Sequence, residues 1–224
     1  MRINTTFIQK DILKKATEFL ITKDSELATI IRREKKCRLR LVKEPSPFCA
    51  LVTSIAGQQL HAKAAHSILD RLKTVNKGRL PDADTLAMMK DDTLAQCGFS
   101  LRKRVALKTL AEFCLQGNCT SWQELQNLSN QQIIDRLIPL PGIGEWTVQM
   151  MLIFNLGRLN VMPTGDFGVR EGWKRCKGWN EQPKPRQLDA LTQHWQPYRS
   201  VGAWFLWREA DRAKPFPRQN PLTR

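Results

Sequence analysis

Apolar residues recur at steps of three and four along almost the whole chain, and the strict alternation of a half-buried strand is nearly absent. "KDILKKATEFLI" (10–21) and "SELATIIRREKK" (25–36) each carry such a helical stripe. "PFCALVTSIAGQQLHAKAAHSILDRLK" (Pro47–Lys73) reads as two helices meeting around Gly57–Gln59, and Leu101–Gly117 as one amphipathic helix, basic at its start and closed by glycine. Ser121 with Glu124, and Ser129 with Gln132, have the spacing of capping boxes. Further helices are predicted at roughly 145–157, 166–176, 186–196 and 199–212. The best extended stretch, "GRLNVM" (157–162), is too short to found a sheet, and the chain begins directly with helices. The fold class is all-α.

With 224 residues, 42% of them apolar, and seven tryptophans, the chain can bury one sizeable core or two small lobes. Its net charge of +15 favours a polyanionic partner, of which nucleic acid is the commonest. A basic membrane-surface protein, or a charge with no bearing on function, are the alternatives. Residues 1–112 hold 22 basic and 12 acidic side chains against 14 and 9 in the remainder, so the excess is not a tail. The densest run, "RREKKCRLR" (Arg32–Arg40), suits either a solvated helix end or phosphate contact. No run approaches the roughly 20 apolar residues of a membrane span, and the N-terminus lacks the apolar core of a signal peptide. The six cysteines are scattered without a CxxC pair, and Cys114 to Cys119 is a poor zinc spacing. They are expected to be reduced, as in a cytosolic protein, and no metal-ligating side chains are expected.

"LPGIGEWTVQMML" (Leu140–Leu152) sets a side-chain-poor turn before an apolar helix. Pro139 and Pro141 forbid continuation of the preceding helix. Gly142 and Gly144 admit backbone angles closed to other residues and leave their amides unshielded, while Ile143 between them can enter the core. Those amides with the next helix N-terminus make a small anion site suited to one phosphate. A glycine-capped helix–turn–helix connection explains the same residues on local grounds.

Between Arg136 and Asp166 the only charged residues are Glu145 and Arg158, so Asp166 follows a long apolar stretch close to a helix start. The positive end of that helix favours the carboxylate and apolar surroundings oppose it. An ordinary Asp N-cap accounts for the residue equally well.

L-P-G-I-G-x-W-T followed by an Asp about twenty residues on resembles the helix–hairpin–helix DNA glycosylase superfamily, and within it the 3-methyladenine DNA glycosylase, alkylation-repair branch. Three further segments agree, in the family's order: "SIAGQQLHAKAA" (Ser54–Ala65) is similar to the helix junction facing DNA, "GFSLRKRVALKTLA" (Gly98–Ala111) to the basic G-[FL]-S-x-x-K helix, and "PYRSVGAWFLWR" (Pro197–Arg208) to the C-terminal helix. The resemblance covers roughly residues 45–212. It implies two helical lobes with a cleft, as a single glycosylase domain over 1–224 with its hairpin at about 138–146, in a compact form without an N-terminal β-domain.

It further implies a monofunctional glycosylase that flips an alkylated purine from duplex DNA and hydrolyses its N-glycosidic bond, with Asp166 orienting or deprotonating the water. Trp146, Trp207 and Trp204 are candidates for the base pocket, with core packing as the alternative for each, and Met150 stands where some relatives present a tyrosine. Gln59 is the expected wedge filling the gap left by the flipped base, with Gln58, Leu60 and His61 beside it. Gly142, Ile143, Gly144 and Thr147 belong to the backbone-gripping hairpin. Lys63 and the run Arg102–Arg104 suit phosphate contact or a solvated helix face. Trp146 replaces the lysine of strand-cleaving relatives, so no lyase activity is expected. Only Cys176 lies beyond residue 119, so no iron–sulfur cluster is expected. No cofactor is required, although a monovalent cation at the hairpin carbonyls fits the resemblance. The expected partner is double-stranded DNA containing alkylated bases, not a membrane, and the expected state is a monomer in the bacterial cytoplasm at the nucleoid, or nuclear in a eukaryote. Two other functions share these features: a glycosylase for another lesion, and a non-catalytic helix–hairpin–helix DNA-binding module.

Overall fold

Several helices begin where the sequence supplies an acceptor for their first amides. Asp24 accepts from the Leu27 amide (2.9 Å), Ser46 from Cys49 (3.2 Å) and Asp82 from Thr85 (2.9 Å). Both predicted capping boxes form, at Ser121–Glu124 and Ser129–Gln132. The structure, a computed structural model, describes residues 5–8, 10–60, 62–119 and 121–212.

Among the described residues the chain forms α1 (Lys10–Lys23), α2 (Ser25–Glu34), α3 (Pro47–Gly57), α4 (Ala62–Val75), α5 (Ala83–Met88), α6 (Asp91–Gln96), α7 (Leu101–Phe113), α8 (Trp122–Asn127), α9 (Asn130–Leu137), α10 (Glu145–Phe154), α11 (Phe167–Cys176), α12 (Pro185–Leu191) and α13 (Arg199–Arg212). The all-α reading holds with one addition. Strands β1 (Thr5–Phe7) and β2 (Arg40–Val42) pair antiparallel, with Thr6 opposite Leu41, so a strand precedes the first helix. "GRLNVM" is not a strand. The helix expected to reach 157 ends at Phe154, and Gly157 turns the chain with φ +70° where a Cβ would lie 3.1 Å from Leu41. The helix expected over 186–196 is α12 followed by a short 3-10 turn at Gln193–Trp195.

The described residues fall into two compact units, one drawn from Met1–Lys43 and Leu152–Arg224, the other from Glu44–Met151. In the first, α1, α2, α11 and α13 bury Leu20, Leu27, Ile31, Trp195 and Phe205. Asp24, buried among them, is satisfied by Lys177 Nζ (2.7 Å) and Trp195 Nε1 (3.1 Å). Burial pulls the Lys177 pKa down, but hydrogen bonds to Asp24 and Glu26 outweigh it and hold the ammonium above its usual value.

Helices α11 and α13 approach closely because α11 carries glycines four apart, on one face. A Cβ on Gly172 would lie 2.0 Å from the Leu206 carbonyl oxygen, and one on Gly168 3.0 Å from Trp207 Cδ1.

In the second unit α3 packs on α4 and α7, and α5 on α7, around Leu51, Ile55, Leu72, Leu86 and Leu107. Here the expectation of reduced cysteines is corrected at one pair. A π-helical end to α7 (Cys114–Asn118), bent at Gly117 with φ +80°, brings Cys114 to Cys119, and the two form a disulfide. Cys37, Cys49, Cys97 and Cys176 are free thiols.

Replacing Gly172 by alanine sets a methyl against backbone that cannot move away. We expect a loss of about 2 kcal/mol or more, despite alanine's better helix propensity, read as a lower urea midpoint.

Candidate active site

Asp166 is the N-cap of α11, with extended backbone (φ −73°, ψ 125°), and its Oδ1 accepts from the Val169 amide at 2.8 Å. The local N-cap reading is therefore correct, but it is half of the arrangement. The same oxygen accepts from Trp207 Nε1 of α13, also at 2.8 Å. That indole reaches it because Gly168 has no side chain: a Cβ there would sit 3.2 Å from Oδ1 and 3.4 Å from Nε1. The carboxylate is partly exposed, and its neighbour Phe167 is 66% exposed. The Trp207 ring lies on Phe154, centroids 5.6 Å apart and planes 30° apart. A carboxylate oriented by two donors beside an aromatic pair can stabilise a developing cation and accept a proton from water.

The other aromatic candidates separate. Trp204 is 2% exposed and packs edge-on against Phe205 at 5.0 Å, the surroundings of a core residue. Met150 is buried as well, whereas Trp146, in the first turn of α10, is 44% exposed.

The hairpin between α9 and α10 lies in the second unit. Gly142 has φ +77°, and a Cβ on it would meet Ala106 Cβ of α7 at 2.7 Å, so both conformation and space require glycine. Gly144 departs from the expectation, since its φ is not positive and a Cβ would meet nothing within 4 Å. Its carbonyl accepts from the Val148 amide and starts α10. Ile143 and Leu140 plug the turn into the core, and the Ile143 amide donates to Leu140 O (3.0 Å). Thr147 is buried rather than presented to solvent.

The junction of α3 and α4 divides the residues expected at DNA. Gln59 is exposed with left-handed backbone (φ +58°), a strain that a non-glycine residue keeps only where the surroundings impose it. Leu60 beside it is 40% exposed. Gln58, expected to face DNA, instead turns to the hairpin: its Nε2 donates to Gly142 O at 2.6 Å and to Thr147 Oγ1 at 3.4 Å. His61 lies outside the described residues.

The basic run on α7 also divides. Arg102 and, on α4, Lys63 are exposed and suit a phosphate. Arg104 is engaged with Asp91 (2.9 Å) and the Phe99 carbonyl (3.0 Å). Lys103 donates to Ala56 O (2.8 Å) and Gln58 O (3.0 Å), and its burial lowers its pKa. Both side chains are thus engaged within the protein. The functional elements that sequence reading missed are Gly168, Phe154 and the inward roles of Gln58 and Lys103. Only the glycine spacing on α11 offered a signal.

Residues 52–197 match the family model for HhH-GPD superfamily base excision DNA repair proteins. The chain is 36% identical over 180 residues to DNA-3-methyladenine glycosylase 1 of Schizosaccharomyces pombe, covering 79% of each. Its fold matches a solved complex of S. pombe 3-methyladenine DNA glycosylase with abasic DNA at TM-score 0.80 and 34% identity, covering 87% of this chain and 95% of that one. It also matches a DNA-3-methyladenine glycosidase from Bacillus halodurans at TM-score 0.78 and 31% identity, covering 94% and 93%.

The two hairpin glycines are expected to differ on substitution. Gly142→Ala meets both a steric and a conformational penalty, and should lose about 2 kcal/mol or more in urea unfolding. Gly144→Ala should stay within about 1 kcal/mol of the unsubstituted protein.

Proposed function

The chain belongs to the HhH-GPD superfamily of base excision DNA repair proteins, and on that premise we propose that it is a monofunctional DNA glycosylase removing alkylated purines, of the 3-methyladenine and 7-methylguanine type, from duplex DNA. The observation that carries this reading is the Asp166 carboxylate, fixed by the Val169 amide and the Trp207 indole. A module that only grips the DNA backbone has no need of it.

Methylation at N3 or N7 leaves the purine cationic, so it departs as a neutral base with the electrons of the glycosidic bond. No general acid is needed. The sugar left behind has oxocarbenium character, which Asp166 stabilises while taking the proton of the water that bonds to C1′. Because two donors fix Oδ1, little reorganisation accompanies the reaction. The base must leave the stack to react, and Gln59, held proud of its turn, fills the gap. The electron-rich ring of Trp207 suits a cationic base. Trp146 offers no amine at the position used by strand-cleaving relatives, so water is the nucleophile.

The first turn of α10 and the glycine hairpin take a phosphate, with Arg102 and Lys63 as further contacts. A monovalent cation suits the hairpin's neutral carbonyl donors better than a divalent one, and those of residues 138–143 would hold it. Its chemistry would be to offset phosphate charge. No cofactor enters the reaction. The protein is proposed to act as a monomer at the nucleoid, or in the nucleus of a eukaryote; no helix among the described residues is long and apolar enough to cross a membrane.

Incubation with methylated duplex DNA tests the reading. The protein should release free 3-methyladenine or 7-methylguanine, and Asp166→Asn, which keeps an N-cap acceptor, should release at least about 100-fold less. Borohydride should trap no covalent protein–DNA adduct. Absence of base release with abasic-DNA binding intact would instead indicate another lesion or a non-catalytic binder.

A further inference from the structure

Three segments of the second unit meet at one residue, Gln58. It is the C-cap of α3, and the strained Gln59 and exposed Leu60 follow it directly, in a turn closed by the Leu60 amide on Gly57 O (3.2 Å). Its amide nitrogen donates to the carbonyl of Gly142, the residue at the bend of the hairpin. Its backbone carbonyl accepts from Lys103 of α7, whose ammonium also donates to Ala56 O. One turn further along α7, on the same face, Ala106 receives the bare Cα of Gly142. Helix α7 is thus a plate against which both the wedge turn and the hairpin are set, and Gln58 joins the two directly.

The chemistry of the three groups suits this role. The carbonyls at the end of α3 lack intrahelical partners and carry the negative end of the helix dipole, which favours a cation. Lys103 sits there partly buried, with two of its three donors used on carbonyls, so it does not act as an exposed phosphate contact. A glutamine can donate with its amide to Gly142 O; glutamate cannot, and methionine fills the same volume without a donor.

We propose that Gln58 and Lys103 are positioning residues that tie the Gln59 wedge to the phosphate-gripping hairpin. Insertion into the stack and grip on the backbone then occur in one fixed register. This rests on the glycosylase reading above, from which the roles of wedge and hairpin are taken. Neither residue touches the base or the sugar; each acts through backbone it holds.

The test uses the full chain with Gln58→Met, Gln58→Glu, Lys103→Met and the double variant Gln58→Met/Lys103→Met. Amide hydrogen exchange of residues 139–147 is measured without DNA, alongside single-turnover release of 7-methylguanine and affinity for duplex containing a tetrahydrofuran abasic analogue. We expect hairpin exchange to rise at least about threefold in Gln58→Met and further in Gln58→Glu. Base release should fall at least about tenfold. The double variant should lose less than the product of the single losses, because both residues serve one connection.

Reduced release with unchanged hairpin exchange would overturn the proposal and make Gln58 a direct DNA contact. Wild-type values throughout would overturn it as well. If the wild-type protein releases no alkylated base, the glycosylase reading fails. Hairpin exchange and abasic-DNA affinity still decide the connection: unchanged values in the variants overturn it, and raised exchange with weakened affinity supports it.

Discussion

One carboxylate oxygen, Oδ1 of Asp166, accepts from the backbone of its own helix and from the indole of another, and the candidate site depends on that pair. Hydrogen bonds to a charged acceptor contribute about 1.5–3 kcal/mol each, enough to select one rotamer of a partly exposed side chain. They require α13 to approach α11 more closely than ordinary side chains permit. Gly172 lets the backbone of Leu206 approach, and Gly168 leaves room for the indole. The placement of the Asp166 carboxylate is thus a consequence of helix packing: without the two glycines the indole could not reach it, and Asp166 would be an N-cap alone.

The second unit solves a different problem with similar means. In the proposed function the hairpin offers amides to a phosphate and so cannot be shielded by side chains, and a turn without side chains lacks rigidity of its own. Ile143 buried below it, Ala106 packed under Gly142, and Gln58 bonded across its carbonyl restore that rigidity. Glycine is demanded at Gly142 alone; Gly144 has space around it, which fits a position kept bare for something outside the protein.

What was legible in the sequence is what local chemistry writes. The capping boxes at Ser121 and Ser129, the turn at Pro141–Gly144 and the helix start at Asp166 are set by neighbours within four residues, and all form. What was illegible depends on distant partners. Trp207 and Asp166 are 41 residues apart, and Gln58 and Gly142 are 84 apart, so no window of sequence shows that they meet. For the same reason the sequence did not show that Lys103 and Arg104 are engaged within the protein, that Trp204 is buried, or that Gln58 is bonded to the hairpin. β1 and β2 were missed because three-residue strands carry almost no period. Glycines four apart on α11 were the one overlooked clue to a close helix crossing.

We propose that the Trp207 indole N–H serves the reaction through the Asp166 carboxylate it holds, whatever its ring offers the base, and a double-mutant cycle tests this most directly. Trp207→Phe keeps an aromatic ring and removes the donor, so its effect on single-turnover base release should depend on what stands at 166. We expect a loss of about tenfold or more with Asp166 present and little further loss in the Asp166→Asn background. Equal losses in both backgrounds would contradict it, and would mean that the indole N–H acts independently of the carboxylate.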